Sequence, residues 1–335
     1  MRGGIAAGLA ALFLGAASAA AWAADPVKLR IGWSDVPSSL TPILAEKPEL
    51  APHLGKSYTL DPIHFGGTAP MITALATGDL DMGEMAFGSF GLAVQNAHLE
   101  DLRVIADEME DGVPGHLSVP YVVLKDGPVK EVADMKGRVA ATNVIGSGTD
   151  IGMRTLLRKY GLEDKRDYSE IEVSYFSMKD ELKQGKADLI ATVHSTVLDP
   201  ELQAMSRPLF YLRDAMGVTA ILFRVARAPF IARNRAALVD YFEDETRELH
   251  WYLDPANHAE AVRIVAKFTK EDPAHFESWL FTSKDIYRDR DNRPDLEALQ
   301  SNLLTQKAAG FLKIDIDVRN FADTSLVEEA AKRLQ

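Results

Sequence analysis

The sequence predicts an α/β protein built as two doubly wound lobes joined by hinge strands. Three observations carry that expectation. Short β-rich runs alternate with amphipathic helical stretches, the pattern of a mostly parallel sheet with helices on its faces. The alternation occurs twice, before and after a polar, Gly- and Pro-containing stretch from Asp107 to Ser118. No low-complexity linker separates the two sets, so the lobes are expected to share strands at a hinge rather than a tether. A chain of 335 residues also suits two domains better than one.

In the first set, Val27 to Gly32 alternates and reads as a strand, and Tyr58 to Phe65 as a second. Ala69 to Ala76 reads as a helix, with Thr68 as N-cap, Pro70 in the first turn and Gly78 as terminator. Leu80 to Gly83 is a short buried strand, Phe90 to Ala97 a helix, and Leu102 to Ala106 a strand. The acidic residues from Asp107 to Asp111 are expected in a loop, either solvated or a docking surface.

In the second set, Pro120 to Lys125 and Arg138 to Thr142 read as strands. The loop Gly146-Ser147-Gly148-Thr149 then opens a helix from Asp150 to Tyr160, stopped by Gly161. Glu172 to Phe176 is expected as a strand, Met178 to Gln184 as a helix and Ala187 to Val193 as a strand. A long apolar strand, Val218 to Ala226, carries Arg224 within it. The C-terminal third reads as mainly helical: Arg233 to Leu253, His258 to Phe268, Pro273 to Trp279, Pro294 to Ala309 and Ser325 to Leu334.

The first 24 residues have a character of their own. Arg2 precedes an apolar stretch from Ile5 to Ala21, and Ala21-Trp22-Ala23 fits a small-x-small cleavage site, so residues 1–24 are expected to be a secretory signal peptide. The stretch is short, Ala/Gly-rich and lacks a positive stop-transfer flank, which argues against a membrane anchor. There is no cysteine, so acylation at an N-terminal Cys, thiolate metal sites and cysteine nucleophiles are excluded. A bacterial periplasm fits these features. The net charge of −12 disfavours nucleic acid and anionic membrane surfaces as partners. The eight histidines form no H-E-x-x-H, and no G-x-S-x-G elbow accompanies the His194-Ser195 pair. No catalytic residue, metal or cofactor is expected.

Several segments together resemble the periplasmic solute-binding proteins of ABC importers for nitrate, sulfonates, taurine and thiamine-precursor pyrimidines. They are Gly67-Thr68-Ala69-Pro70 through Gly78-Asp79-Leu80-Asp81-Met82-Gly83; Lys125 to Lys130 followed by Val132 to Ala140; Gly146 to Thr149; Leu156 to Leu162; and Gly185 to Leu189. The resemblance runs from about Leu29 to Phe268. It implies a type II periplasmic binding protein fold, with residues 25–121 and 215–335 forming lobe 1, residues 122–214 forming lobe 2, and crossings near Tyr121 and Asp214. It also implies a monomer that captures a small organic anion (a sulfonate, a taurine-like zwitterion or a carboxylate) for a membrane permease. A pyrimidine-precursor binder or enzyme of the same fold, and a sensor subunit, stay open as alternatives.

Ligands in open α/β sheets bind beyond the carboxyl ends of the strands. That rule selects Trp33, Ser34, Gly67, Thr68, Glu84 and Phe87 in lobe 1, and Asn143, Ser147, Gly148, Thr149, His194 and Ser195 in lobe 2. Two Gly/Ser/Thr loops that lead into helices offer free N–H groups and hydroxyls to an anion. Thr68, Ser147 and Thr149 read equally well as caps, and Trp33, Phe87, Phe90 and Tyr121 as core. Glu84 suits an ammonium group or a solvated loop. His194 replaces a Trp common among the resembled proteins. Arg224 reads as a paired strand arginine or a cleft cation.

Overall fold

A computed structural model describes residues 25–335, except the side chains of His194 and Ser195. The expected signal segment, residues 1–24, therefore lies outside the described residues. The chain opens with β1 (Val27–Trp33), β2 (Tyr58–His64), α1 (Ala69–Thr77), β3 (Met82–Met85), α2 (Phe87–Ala97) and β4 (Leu102–Asp111). It continues with β5 (Pro120–Leu124), β6 (Val139–Thr142), α3 (Gly148–Lys159), β7 (Ser169–Glu172), α4 (Tyr175–Lys183), β8 (Leu189–Ala191), α5 (His194–Val197), α6 (Pro200–Met205), β9 (Ser206–Tyr211) and α7 (Leu212–Met216). Then come β10 (Thr219–Arg227), α8 (Ala228–Tyr252), α9 (His258–Thr269), α10 (Leu296–Ala308) and α11 (Ser325–Arg333).

Two five-stranded sheets result, in the orders β2-β1-β3-β10-β4 and β7-β6-β8-β5-β9. Each is parallel except for one strand, β10 in the first sheet and β5 in the second. These two are the strands the chain enters after passing between the sheets, through 112–119 and through 212–218. The expected two-lobed α/β architecture is what the structure shows. The first crossing is pinned by Asp111, whose carboxylate accepts from Ser118 Oγ and from the Val119 N–H, both at 2.6 Å. Burial lifts the Asp111 carboxyl to about 6 despite those two bonds.

Four local expectations are corrected. The acidic run 107–111 is strand β4 rather than loop, with Asp107, Glu110 and Asp111 buried. Its free edge is covered by the segment around Tyr287 and Asn292, whose carbonyls accept the Glu110 and Asp107 N–H groups at 2.9 and 2.8 Å. A run of acids reads as solvated because the sequence cannot show what covers it. The strand expected at Glu172–Phe176 lies earlier, at β7, and Tyr175 and Phe176 open α4. Pro273–Trp279 yields only a 3₁₀ turn at Pro273–His275. Strand β9 was not anticipated; its Pro208 masks the pattern, and Pro is tolerated because β9 is an edge strand.

The lobes touch where α2 and α3 begin. A Cβ on Gly148 would lie 2.6 Å from the Ala86 Cβ, and one on Gly88 would lie 2.9 Å from Ile151. Such separations leave no room for a methyl group between two backbones. Gly148→Ala should therefore keep the lobes from reaching this contact. Small-angle scattering is expected to give a larger radius of gyration for the variant; an unchanged value would show that the contact does not set the spacing of the lobes.

Candidate functional site

The carboxyl ends of β1 and β6 and the starts of α1, α3 and α4 converge on a cavity of about 70 Å³ between the lobes. Lobe 1 contributes Ser34, Asp35, Ser38, Gly67 and Thr68, and lobe 2 contributes Asn143, Ser147, Gly148, Thr149 and Tyr175. No Lys or Arg is among the described lining residues. Its polar groups are hydroxyls, an amide, backbone and one carboxylate, and Ala86, Met109, Ile221 and Leu222 of lobe 1 with Val193 of lobe 2 complete the wall with apolar surface.

Lobe 2 presents a connected set of polar groups. Asn143 Oδ1 accepts from Ser147 Oγ at 2.8 Å and from Thr149 Oγ1 at 3.0 Å. Thr149 Oγ1 is also 2.8 Å from the Tyr175 hydroxyl. Ser147 caps α3 by accepting the Asp150 N–H at 3.4 Å. Below them the buried Tyr121 hydroxyl donates to the Thr149 carbonyl at 2.7 Å. Across the cleft, Asn143 Nδ2 donates to the Gly66 carbonyl at 3.2 Å, so this amide already bridges the lobes.

Lobe 1 faces it with α1. Thr68 sits at the N-cap position but its side chain caps nothing, and Thr68 Oγ1 is buried with no hydrogen-bond partner. A buried hydroxyl lining a cavity and lacking a protein partner is an available donor and acceptor for whatever enters. Gly67 approaches so closely that a Cβ there would lie 2.6 Å from Asn143 Nδ2.

The floor of lobe 1 is ionic. Ser34 Oγ donates to Glu84 Oε2 at 2.6 Å. Glu84 is fully buried beside Arg224, itself fully buried on β10. Arg224 Nη2 donates to Glu108, to Thr41 Oγ1 at 2.8 Å and to Glu245 Oε1 at 3.3 Å. Tyr241 donates to the same Glu245 oxygen at 2.6 Å. Three carboxyl groups therefore share one guanidinium. Burial lifts the Glu84 carboxyl to about 7, opposed by the charge of Arg224 and the hydrogen bond from Ser34. Burial likewise pushes Glu108 well above the usual range. Burial pulls Arg224 down, but Glu108 and its acidic neighbours more than offset this and keep it charged. Arg224 is thus a paired strand arginine and does not line the cavity.

Of the residues expected at the site, Ser34, Gly67, Thr68, Asn143, Ser147, Gly148 and Thr149 line one cavity. Glu84 stands behind Ser34. Trp33 lies apart, its ring against His64 and Phe268 at 4.6 and 5.8 Å. Phe87 is fully buried in the core. The side chains of His194 and Ser195 lie outside the described residues. Asp35, Ser38 and Tyr175 were missed. Asp35 and Ser38 come just after Ser34, so the strand-end rule reaches them if carried a few residues further. Tyr175 was hidden by placing it in a strand.

The histidines hold one surprise. Among the described residues, His53, Asp240 and Glu243 bring ligand-type atoms within 4.8 Å of one another. Sequence separation concealed the grouping. Arg333 lies 2.8 Å from Asp240 and Arg247 lies 2.6 Å from Glu243, so the carboxylates are already matched by cations.

Residues 65–245, more than half of the chain, match the family model described as NMT1/THI5 like. Among solved structures, the chain is similar to the alkanesulfonate-binding protein SsuA of Xanthomonas axonopodis pv. citri bound to MOPS. The TM-score is 0.68 at 18% identity, covering 90% of this chain and 100% of that one. The periplasmic aliphatic sulphonate binding protein SsuA of Escherichia coli gives 0.62 at 20% identity, covering 90% and 93%. The periplasmic nitrate-binding protein NrtA of Synechocystis PCC 6803 gives 0.71 at 15% identity, covering 92% and 89%. At these identities the likeness establishes the fold.

The ionic floor makes stability depend on pH. A carboxyl whose pKa rises from 4.5 to about 7 on folding holds a proton that the unfolded chain releases. The native state then binds more protons in that window, so stability falls as pH rises through it. The full effect for Glu84 is up to about 3 kcal/mol. Glu84→Gln should shrink the fall in melting temperature between mildly acidic and mildly alkaline buffer. An unaltered pH slope would contradict the assignment.

Proposed function

This chain belongs to the NMT1/THI5-like family, and we propose that it works as the solute-capturing component of an ABC-type importer, holding a small organic anion between its lobes. The observation that carries this reading is the cavity itself. Donors from both lobes converge there, and the buried Thr68 hydroxyl has no protein partner. The reading involves capture without chemistry; the sulfonate and nitrate proteins that share the fold are named as binding proteins.

The anionic group is assigned to the α3 side. The free N–H groups at the start of α3 and the Thr68 hydroxyl supply donors, the Ser147 and Thr149 hydroxyls join them by turning from Asn143 Oδ1 to the ligand, and the helix start adds partial positive charge. With no Lys or Arg among the described lining residues, an anion is bound by hydrogen bonds that are sensitive to geometry, not by a pair with a lysine or arginine. Asp35 repels a second negative group and suits an ammonium, which fits a taurine-like zwitterion as well as a simple sulfonate or carboxylate.

Capture proceeds by closure. The two sheets serve as the moving bodies, 25–121 with 215–335 against 122–214, and the segments 112–119 and 212–218 serve as the hinge. The ligand contacts both lobes only when they meet, so it favours the closed form by its differential affinity. A permease then recognises that form. The proposed setting is the periplasm, with the protein acting as a monomer; no helix of the described residues is long and apolar enough to cross a membrane.

Thermal shift of the mature protein with nitrate, taurine, alkanesulfonates, aromatic carboxylates and pyrimidines tests the reading. A ligand at one hundred times its dissociation constant should add about 2.7 kcal/mol of stability. Thr149→Ala should weaken the best ligand by about 1–2 kcal/mol, the scale of a lost hydrogen bond to a charged acceptor. A panel without any stabilising compound would defeat the proposal. Unchanged affinity in Thr149→Ala would remove Thr149 from the site.

A further inference from the structure

The contact between Ser34 and Glu84 joins a cavity-lining hydroxyl to a fully buried carboxyl, and one proton decides which of the two donates. The two oxygens lie 2.6 Å apart. While Glu84 is ionised it can only accept, so Ser34 gives its single hydrogen to Glu84 Oε2 and offers the cavity lone pairs alone. Once Glu84 is protonated its own O–H donates to Ser34 Oγ, and the Ser34 hydrogen is free to turn elsewhere. Glu84 Oε1 is buried without a hydrogen-bond partner, so a proton on Oε2, facing Ser34, is the better satisfied one.

The surroundings hold Glu84 near the balance point. On β3 it faces Arg224 of β10, and it shares that guanidinium with Glu108 of β4 and Glu245 of α8, beside the Tyr241 hydroxyl. Glu108 Oε2, like Glu84 Oε1, is buried without a partner. Three carboxyl groups ionised together would leave two negative charges unmatched in the core, so the cluster retains protons. Burial lifts the Glu84 carboxyl to about 7, against Arg224, the hydroxyls of Ser34 and Ser39 and the Ser34 N–H. Two further titratable groups stand near Ser34. Asp35 lines the same cavity, and His64 Nε2 lies 3.2 Å from the Ser34 carbonyl.

Resting on the solute-capture reading, we infer that anion capture is coupled to the uptake of one proton from solvent by Glu84: the protonated carboxyl donates to Ser34 Oγ, and the Ser34 hydroxyl turns its hydrogen to the anion in the cavity. Two effects act in one direction. The cavity gains a donor from lobe 1, and a negative charge behind its wall disappears. Glu84 is a positioning residue in this scheme, since it acts through Ser34. By linkage, an anion that prefers the protonated form raises the proton affinity of Glu84 by the same factor. Affinity for a permanently ionised anion is then level where Glu84 is already protonated. Above that range it falls as pH rises, by up to about tenfold per pH unit.

Calorimetric titration of the full mature chain with nitrate, methanesulfonate and benzenesulfonate, from mildly acidic to mildly alkaline buffer, tests this. All three anions stay ionised throughout, so any pH dependence belongs to the protein. Affinity should fall about tenfold or more across the range. At the alkaline end, buffers of different ionisation enthalpy should give different binding heats, in the sense of proton uptake. Glu84→Gln, which cannot titrate, should abolish both the fall and the uptake. Ser34→Ala should weaken binding more at the acidic end than at the alkaline end and so shrink the fall. Asp35→Asn and His64→Gln should each keep it. Melting curves confirm that the variants are folded. Affinity independent of pH, a fall that survives Glu84→Gln, or one that vanishes with Asp35 or His64 would overturn the proton coupling while leaving capture intact. Absence of binding by every anion would overturn the capture reading and the coupling with it.

Discussion

The buried guanidinium of Arg224 is the interaction on which the first lobe depends. It sits on β10, the antiparallel strand wedged between β3 and β4, and a charge at such a place must be matched or the strand cannot be buried. The partners come from everywhere around it: Glu84 of β3, Glu108 of β4, Glu245 and Tyr241 of α8, and Thr41 before β2. One side chain thereby ties two strands, a long helix and a loop together. Its outermost partner, Glu84, holds Ser34 at the cavity wall. The position of a cavity-lining hydroxyl is thus fixed by an ion network that does not itself line the cavity.

In the second lobe the polar side chains that line the cavity are neutral. Asn143, Ser147, Thr149 and Tyr175 orient one another through short hydrogen bonds, and Tyr121 braces the α3 start from beneath. Buried charge backs this half as well: Asp150, at the start of α3, accepts the Gly146 N–H at 2.7 Å and pairs with Arg154 at 3.4 Å. The two halves meet through glycines, because only a residue without a side chain allows the starts of α2 and α3 to come so near.

Much of this was legible in the sequence. Periodicity placed most strands and helices of both sheets, and the strand-end rule found seven residues that line the cavity. Gly78 terminates α1 with φ of +79°, as its position after the helical run implies. The hidden features depend on contacts distant in sequence. The acids of β4 looked solvated because their partners, Arg224 and the 285–292 segment, lie more than a hundred residues away. Tyr175 looked like a strand residue because its run is aromatic and β-rich, although it opens α4. The grouping of His53 with Asp240 and Glu243 is likewise a product of tertiary folding.

Closure of the two lobes around a solute is the step on which capture depends. The chain has no cysteine, so a pair of spin labels can be placed without competing thiols. Ser177 and Ser278 are exposed and stand beside Phe176 of lobe 2 and Phe276 of lobe 1, which line one space between the lobes. Double electron–electron resonance on Ser177→Cys/Ser278→Cys, with and without a saturating amount of the most stabilising compound of the thermal-shift panel, measures the cleft directly. Closure predicts a broad, long distance distribution in the free protein that collapses to one short, narrow distance with ligand. Distributions that coincide in the two states, with ligand demonstrably bound, would contradict it.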